Sequence, residues 1–215
     1  MPSTAVLFSG GLDSAVLVAH ELERAGAGPD AVVQPIHVRA GLAWEDAERR
    51  TIDRLLAGAP YAGRVPAVIT LTVDMREVYP STHWAVTGTP PARDTPDEDV
   101  YLDGRNIILA SKAAVLCARL KIGRLVLGPL AGNPFPDATP EFFAAMSRAL
   151  SLGLGHTIEL AAPFATMHKE DVIRLGRRLG VPLEQTLSCM NPQADDASCG
   201  RCSKCRERDD AFSIA

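Results

Sequence analysis

Apolar positions along the chain follow two different periods. Short apolar runs predict strands over residues 5–8, 31–38, 65–73, 124–127 and 157–160. Between them, apolar residues recur every three to four positions and predict helices over residues 14–25, 45–56, 105–120, 141–152 and 169–179. Strands separated by helices indicate an α/β fold, doubly wound around a mainly parallel sheet.

Residues 74–104 break this pattern. They contain four prolines and an acidic patch between residues 94 and 99. A segment of about thirty residues without regular structure is long for a compact domain, and such segments are lids, binding loops or solvated excursions. Because this one lies between a strand and a long helix, we expect a lid over the carboxyl edge of the sheet, inserted in a domain that spans residues 1–188.

Composition and charge narrow the class of protein. The chain has 215 residues, of which 47% are hydrophobic and 22% charged, and these proportions are typical of a globular domain with one substantial core. The formal net charge of −4 argues against unspecific nucleic-acid coating, so no stable nucleic-acid partner is expected. No charged region precedes the first apolar run, and no apolar run approaches ~18 residues, so we expect a cytoplasmic protein without a membrane span.

The first predicted strand ends in a cluster of small and polar residues, within the stretch FSGGLDSAV. Gly10 and Gly11 permit a tight turn and a close approach of the backbone to a ligand. The first N–H groups of the following helix are unpaired and favour an anion. The hydroxyl groups of Ser9 and Ser14 add donors, and Asp13 is suited to cap the helix or to hold a metal ion on phosphates. The stretch therefore predicts a phosphate site.

The spacing of this loop excludes two common phosphate motifs. The G-x-x-x-x-G-K-[ST] loop and its lysine are missing, and so is the G-x-G-x-x-G fingerprint. The pattern S-G-G-x-D-S after a first strand instead resembles the pyrophosphate loop of the PP-loop ATP pyrophosphatases, which indicates ATP as ligand. The alternative is a plain glycine-rich turn between a strand and a helix.

Four of the five cysteines lie within seventeen residues of one another near the C-terminus, at Cys189, Cys199, Cys202 and Cys205. Four thiolates close together in sequence are typical of a closed, structural zinc site, and an iron–sulfur cluster is the rival interpretation. We therefore expect a zinc-binding segment over residues 189–215. Cys117 lies alone in a predicted helix, where a buried, inert thiol is expected.

Taken together, the motifs resemble the 7-cyano-7-deazaguanine synthase (QueC-type) family of the PP-loop superfamily over nearly the whole chain. The resemblance depends on LFSGGLDSAV, GRNIILASKAA and FPDATPEFF, and on the C-terminal stretches HKEDVIRLGRRLGVPLEQTLSC and CGRCSKCRER. The first motif is common to the superfamily, whereas FPDATPEFF and the cysteine arrangement are specific to this family.

The resemblance implies an ATP-dependent ligase. Such an enzyme adenylates the carboxylate of 7-carboxy-7-deazaguanine, lets ammonia form the amide, and dehydrates the amide with a second ATP. The product is a nitrile, a precursor of queuosine-type modified guanines. The resemblance further implies Mg²⁺ with the ATP, a structural Zn²⁺ and a homodimer.

The resemblance also assigns roles to individual positions. Asp137 is the expected substrate contact, the alternative being a simple turn residue, and Lys169 is interpreted as a surface charge. The expected catalytic residues are Ser9, Asp13, Ser14 and Arg105. The expected nucleotide-binding residues are Phe8, Ser9, Gly10, Gly11, Leu12, Asp13, Ser14, Arg105, Asn106 and Gly128.

Two stretches depart from the family pattern. VRAGLAWEDAE stands where the family has a Tyr-Gly-Gln-Arg-His-like sequence, and GPLAGNPFPD lacks an acidic residue that the family has after the fourth strand. The alternative is therefore a paralogous ligase that adenylates a different carboxylate or stops at an amide. A nucleotide-binding sensor and a tRNA-modifying enzyme are the rival classes; the intact loop argues against the first, and the acidic charge against the second.

Overall fold

The computed structural model describes residues 4–26, 28 and 32–215. Its centre is a five-stranded sheet in the order β3-β2-β1-β4-β5, and every neighbouring pair of strands is parallel. The strands are β1 (Thr4–Leu7), β2 (Val33–Arg39), β3 (Ile69–Thr72), β4 (Arg124–Val126) and β5 (Glu159–Ala161). The predicted α/β fold with a parallel sheet is confirmed.

Helices cover both faces of the sheet. They are α1 (Leu12–Ala25), α2 (Glu45–Leu56), α3 (Trp84–Thr87), α4 (Arg105–Leu120), α5 (Pro140–Leu154), α6 (Lys169–Arg178) and α7 (Ser203–Ile214). In the described part of the chain, no helix is long and apolar enough to cross a membrane.

Alternate residues of the central strands supply two separate cores. Val6 on β1 belongs to the core that includes α1 and α6, whereas its neighbour Ala5 belongs to the core that includes α4 and α5. This division follows from the two-residue period of a strand, since successive side chains point to opposite faces. Burial on both faces explains why these strands appear as continuous apolar runs.

Most predicted elements are found within a few residues of their expected ends. β3 is shorter than the predicted 65–73, because it is an edge strand and Pro66 has no N–H for the ladder. Residue 31, predicted to begin the second strand, lies outside the described residues. The C-terminal segment contains a helix, α7, whereas the sequence predicted only a zinc-binding segment there.

The predicted lid, residues 74–104, contains short helical turns instead of a long irregular loop. It packs into a third apolar cluster together with Trp44, the N-cap residue of α2, and with the cysteines of the C-terminal segment. Trp84 stacks on Trp44, with ring centroids 5.7 Å apart and an interplanar angle of 13°. A backbone bridge joins Ala92 to Cys202. The segment is therefore packed against the start of α2 and against the cysteine segment, and its movement as a lid stays a prediction.

Candidate active site and metal centre

The loop between β1 and α1 has the backbone of an anion site. Gly10 adopts a φ of +76°, a conformation that side chains rarely tolerate. A Cβ at Gly10 would lie 3.1 Å from Cγ2 of Thr51 and 3.3 Å from the carbonyl oxygen of Glu48, because α2 packs directly on the loop. Gly11 caps α1 without any side-chain hydrogen bond, which leaves the first N–H groups of the helix available to a ligand.

The two serines of the loop contact one another. The backbone N–H of Ser9 donates to Oγ of Ser14 at 3.3 Å, and that hydroxyl donates to the carbonyl oxygen of Gly11 at 3.0 Å. The two Oγ atoms lie 3.4 Å apart. Both hydroxyls therefore lie at the beginning of α1, and their role as phosphate donors stays a prediction.

This loop opens into a cavity of about 230 Å³. The cavity lies beyond the carboxyl ends of β1 and β4, neighbouring strands whose connections lead to opposite halves of the sheet. Parallel α/β sheets bind their ligands at such a switch point. Of the predicted nucleotide-binding residues, all but Gly10 and Leu12 line this cavity; those two lie in the same loop. The lining residues in question are Phe8, Ser9, Gly11, Asp13, Ser14, Arg105, Asn106 and Gly128.

Asp137, the expected substrate contact, also lines this cavity, but its carboxylate accepts hydrogen bonds from the first turn of α4. It is 4% exposed, and its Oδ2 accepts a hydrogen bond of 2.9 Å from the backbone N–H of Asn106. The Asn106 amide in turn donates to the Asp137 carbonyl oxygen at 3.1 Å and to Oδ1 at 3.3 Å. Asp137 therefore fixes the first turn of α4, where Arg105 is exposed and reaches the cavity.

A second cavity of about 440 Å³ shares the phosphate loop with the first. Both are lined by Ser9, Gly11, Asp13 and Arg105, together with residues of the 74–104 segment. The second extends between the stacked pair of Trp44 and Trp84 and the cysteine segment. It is large enough for a planar heterocycle beside the loop, with aromatic walls on which such a ring can stack.

Glu48 contributes a carboxyl group to the second cavity that the sequence motifs did not indicate. Burial raises the pKa of this carboxyl to about 8, an effect that the nearby Arg105 guanidinium opposes and the neighbouring Glu45 reinforces. A partly protonated carboxyl group both donates and accepts hydrogen bonds. Only the charge pattern of α2 could have suggested it, because that helix carries several acidic residues in one turn.

Lys169 is not the surface charge that its sequence position suggested. Its side chain is 15% exposed, and Nζ lies 2.6 Å from Oδ2 of Asp13 and 3.0 Å from Oε1 of Glu207. The two carboxylates outweigh burial and raise the pKa of Lys169, so it stays charged. Its ammonium and that of Lys204 lower the pKa of Glu207 to about 2, which keeps this carboxylate ionised.

The four predicted cysteine ligands converge at one point. Among the described residues, the sulfur atoms of Cys189, Cys199, Cys202 and Cys205 lie within 4.8 Å of one another. Two of the separations are 3.5 Å, between Cys202 and Cys205, and 3.9 Å, between Cys199 and Cys205. Tetrahedral zinc with Zn–S bonds of about 2.3 Å places its sulfurs about 3.8 Å apart. A four-iron cluster holds them farther apart, because each thiolate binds a different iron atom. The geometry therefore fits a single ion.

Backbone groups support thiolate character in this cluster. Sγ of Cys189 accepts hydrogen bonds of 3.3 Å from the N–H groups of Asn191 and Cys199. By contrast, Cys117 is fully buried in α4, where burial raises the pKa of its thiol to about 12. The prediction of an inert thiol at Cys117 agrees with this setting.

Among solved structures, the chain resembles the U34-tRNA thiolase NcsA from Methanococcus maripaludis, described with its [4Fe-4S] cluster. The TM-score is 0.55 at 13% identity, over 100% of this chain and 66% of the thiolase. At this identity the likeness shows the fold alone.

Sequence relatives are more similar. The chain is 33% identical to a 7-cyano-7-deazaguanine synthase from Methanopyrus kandleri, over 100% of this chain and 96% of the relative. It is 31% identical to a 7-cyano-7-deazaguanine synthase from Xanthomonas campestris pv. campestris, over 100% of this chain and 95% of the relative. The family model described as "Queuosine biosynthesis protein QueC" matches residues 3–215. The match includes the phosphate loop, the Arg105 turn and all four clustered cysteines, and the chain therefore belongs to the QueC family.

Proposed function

We propose that this chain converts 7-carboxy-7-deazaguanine to 7-cyano-7-deazaguanine with ammonia and two molecules of ATP. The observation that carries the proposal is the phosphate loop, which opens at the switch point of the sheet into two cavities that share its residues. The chain is an ATP-dependent enzyme of the PP-loop superfamily. Its full-length relatives bear the name of this synthase, and they do not favour a paralogous ligase with another acid or an amide product.

In the first step, the carboxylate of the substrate attacks the α-phosphorus of ATP and expels pyrophosphate, which leaves an acyl adenylate. The N–H groups at the beginning of α1 and the hydroxyls of Ser9 and Ser14 would hold the phosphates. Arg105, exposed at the border of both cavities, would balance the charge that develops on the adenylate. Such preorganised donors typically contribute 10²- to 10³-fold to the rate each.

In the second step, ammonia displaces AMP from the adenylate and forms the amide. The amide oxygen then attacks the α-phosphorus of a second ATP and expels pyrophosphate, and loss of AMP and of both amide N–H protons leaves the nitrile. The aromatic walls formed by Trp44, Trp84 and Phe135 are suited to stack the deazaguanine ring. Since Asp137 is occupied by Asn106, we assign the acceptor for the guanine-like edge to Glu48 rather than to Asp137 alone.

Asp13 fits the Mg²⁺ that accompanies ATP. Its Oδ2 contacts Lys169, whereas Oδ1 is buried without a hydrogen-bond partner among the described residues. A free carboxylate oxygen beside the phosphate site is the hard ligand that Mg²⁺ prefers. When bound, the ion would neutralise part of the charge on the phosphates.

The cysteine cluster would hold Zn²⁺ in a purely structural role, since four thiolates leave no open position for a substrate. The homodimer, ammonia as the nitrogen donor and a cytoplasmic location remain part of the proposal on the strength of the family. Gel filtration with light scattering tests the dimer.

The decisive experiment is incubation of the purified protein with ATP, Mg²⁺, ammonium and 7-carboxy-7-deazaguanine, followed by mass spectrometry of the base. We expect the mass of the nitrile and about two pyrophosphates per product. An amide as the end product, or pyrophosphate release only with another acid, would support the paralogous ligase instead. The Ser14→Ala variant is the control for a contaminating activity.

A further inference from the structure

Three helices that are distant in the sequence meet at one buried ammonium group. Lys169 is the first residue of α6, Asp13 lies in the first turn of α1, and Glu207 lies in α7. Nζ of Lys169 is within 3.0 Å of a carboxylate oxygen of each partner. All three side chains line the second cavity.

The position of the ammonium depends on both carboxylates. A lysine side chain has a flexible four-carbon stem and a point charge, so its own rotamers do not fix where the charge lies. Asp13 and Glu207 both contact it, and the second oxygen of Glu207 lies 2.5 Å from Nζ of Lys204. Each carboxylate is less than a third exposed, with side-chain values of 28% for Asp13 and 24% for Glu207.

This arrangement determines how Asp13 faces the phosphate loop. Because Oδ2 is engaged by Lys169, Oδ1 is the oxygen that remains without a partner among the described residues. Asp13 also lies beside Gly128, which follows β4 on the other side of the switch point: a Cβ at Gly128 would lie 3.8 Å from Cβ of Asp13. A shift of the ammonium would therefore disturb a carboxylate at the centre of the predicted ATP site.

Glu207 is supplied by the cysteine segment. It lies two residues after Cys205 in α7, and the cluster includes Cys205 together with Cys202, which caps that helix. The carboxylate is therefore carried to Lys169 by the same segment that the four thiolates fold together. In the sequence, the loop and this carboxylate are almost two hundred residues apart.

We propose that Glu207 is a positioning residue for the phosphate loop, holding Lys169 against Asp13 and so linking the cysteine segment to the ATP site. The inference rests on the proposed use of ATP and not on the identity of the carboxylate substrate. It predicts that the tail contributes to ATP affinity through one ion pair, in addition to stabilising the fold.

The test compares Glu207→Ala and Glu207→Asp with the matched control Asp209→Asn. Asp209 lies two residues further along α7 and pairs with Arg93 at the surface, where its side chain is 58% exposed. ATP binding is measured directly by calorimetry, and KM and kcat by pyrophosphate release. Metal content and melting temperature are measured on the same preparations.

We expect both Glu207 variants to raise the Kd and KM for ATP, Glu207→Ala by about tenfold, and to change kcat less than threefold. The reason is that, without Glu207, the ammonium group of Lys169 becomes mobile and must be ordered again when ATP binds. Metal content should stay at the wild-type value, and Asp209→Asn should match the wild type. Unchanged or tighter ATP binding would show that Glu207 only balances charge and would overturn the proposal. Loss of metal in parallel with loss of affinity would overturn it too, as a merely structural effect.

Calorimetry with ATP also separates this inference from the proposed function. A wild-type protein that binds ATP but does not convert the deazaguanine acid would contradict the proposed substrate, while the effect of Glu207 on ATP binding would still be measurable. The double variant Glu207→Ala/Lys169→Met should have nearly the same Kd for ATP as Lys169→Met alone, since both substitutions remove the contact between Lys169 and Glu207.

Discussion

The phosphate loop and the cysteine cluster are both built from short sequence motifs, but their structures differ in one respect. In the loop from Ser9 to Ser14, hydrogen bonds join the two serines at the border of a cavity, and no side chain caps the first N–H groups of α1. The cluster is closed, with Cys189, Cys202 and Cys205 buried and all four sulfurs directed at one point. An open set of donors suits a ligand that exchanges in every turnover, whereas a closed set suits an ion that stays.

This difference assigns chemistry to one region and stability to the other. Variants in the loop should reduce turnover without unfolding the protein, and variants in the cluster should reduce stability and metal content first. The Lys169 bridge between Asp13 and Glu207 is the direct contact through which the second region reaches the first.

The largest effect is expected for Ser14→Ala. Loss of this hydroxyl removes a donor from the phosphate site and the acceptor of the Ser9 N–H group, and should lower ATP-dependent pyrophosphate release by about 10²-fold or more. Ser111→Ala, which removes a hydroxyl bonded to its own helix at Ile107, is the control and should keep wild-type turnover. Near wild-type turnover of a folded Ser14→Ala protein would contradict the assignment of the loop.

The next effect concerns the cluster. Cys202→Ser removes one of the four thiolates. We expect it to abolish binding of the proposed zinc ion and to lower the stability of the C-terminal segment by about 3 kcal/mol or more. Elemental analysis and thermal unfolding measure both. Cys117→Ala, which alters the inert thiol in α4, should keep one zinc per chain; iron in the wild-type protein, or full metal in Cys202→Ser, would contradict a zinc site.

A smaller effect is expected for Gly10→Ala, which tests how tightly the loop is fixed against α2. The variant combines a positive φ with a Cβ only 3.1 Å from Thr51, and should lower the free energy of unfolding by about 2 kcal/mol. Gly63→Ala has a similar φ, +72°, but no neighbour within 4 Å, and should lower it by about 1 kcal/mol. If urea unfolding gave the same loss of unfolding free energy for both variants, α2 would have to shift away from the added methyl group at little cost.

The smallest effect concerns Glu48 and depends on pH. Because burial raises the pKa of its carboxyl from the usual 4.5 to about 8, the folded state binds the proton more tightly than the unfolded state. The stability that this group provides is therefore present at pH 5 and is lost as the pH rises toward about 8. The stability of Glu48→Gln relative to the wild type should therefore rise steadily between pH 5 and pH 9.

Urea unfolding at the two pH values measures this difference. The control is Glu141→Gln, at an exposed position in the first turn of α5, which should show no such trend. A Glu48→Gln protein whose advantage does not grow with pH would contradict the raised pKa and weaken the assignment of Glu48 to the substrate edge.

The sequence by itself determined the features that depend on neighbouring residues. The period of apolar positions gave α2 at Glu45–Leu56 and α4 at Arg105–Leu120 with their observed ends, because burial of one helix face repeats every three to four residues. The phosphate loop and the cysteine cluster could also be identified from the sequence. A strand-to-helix turn and a tetrahedrally coordinated ion each require particular residues at a short, local spacing.

Only the tertiary structure decided which distant side chains meet. Asp137 lines the first cavity and also holds the first turn of α4 through Asn106, a contact that its sequence position does not indicate. Lys169 lies between Asp13 and Glu207, not at the surface as its sequence position suggests. Burial raises the pKa of Glu48, and the neighbouring Glu45 reinforces the effect against the opposing charge of Arg105. Each of these properties depends on which charged and polar groups pack against the side chain and on how far packing excludes water from it. Residues far apart in the chain supply that environment, so no local pattern records it.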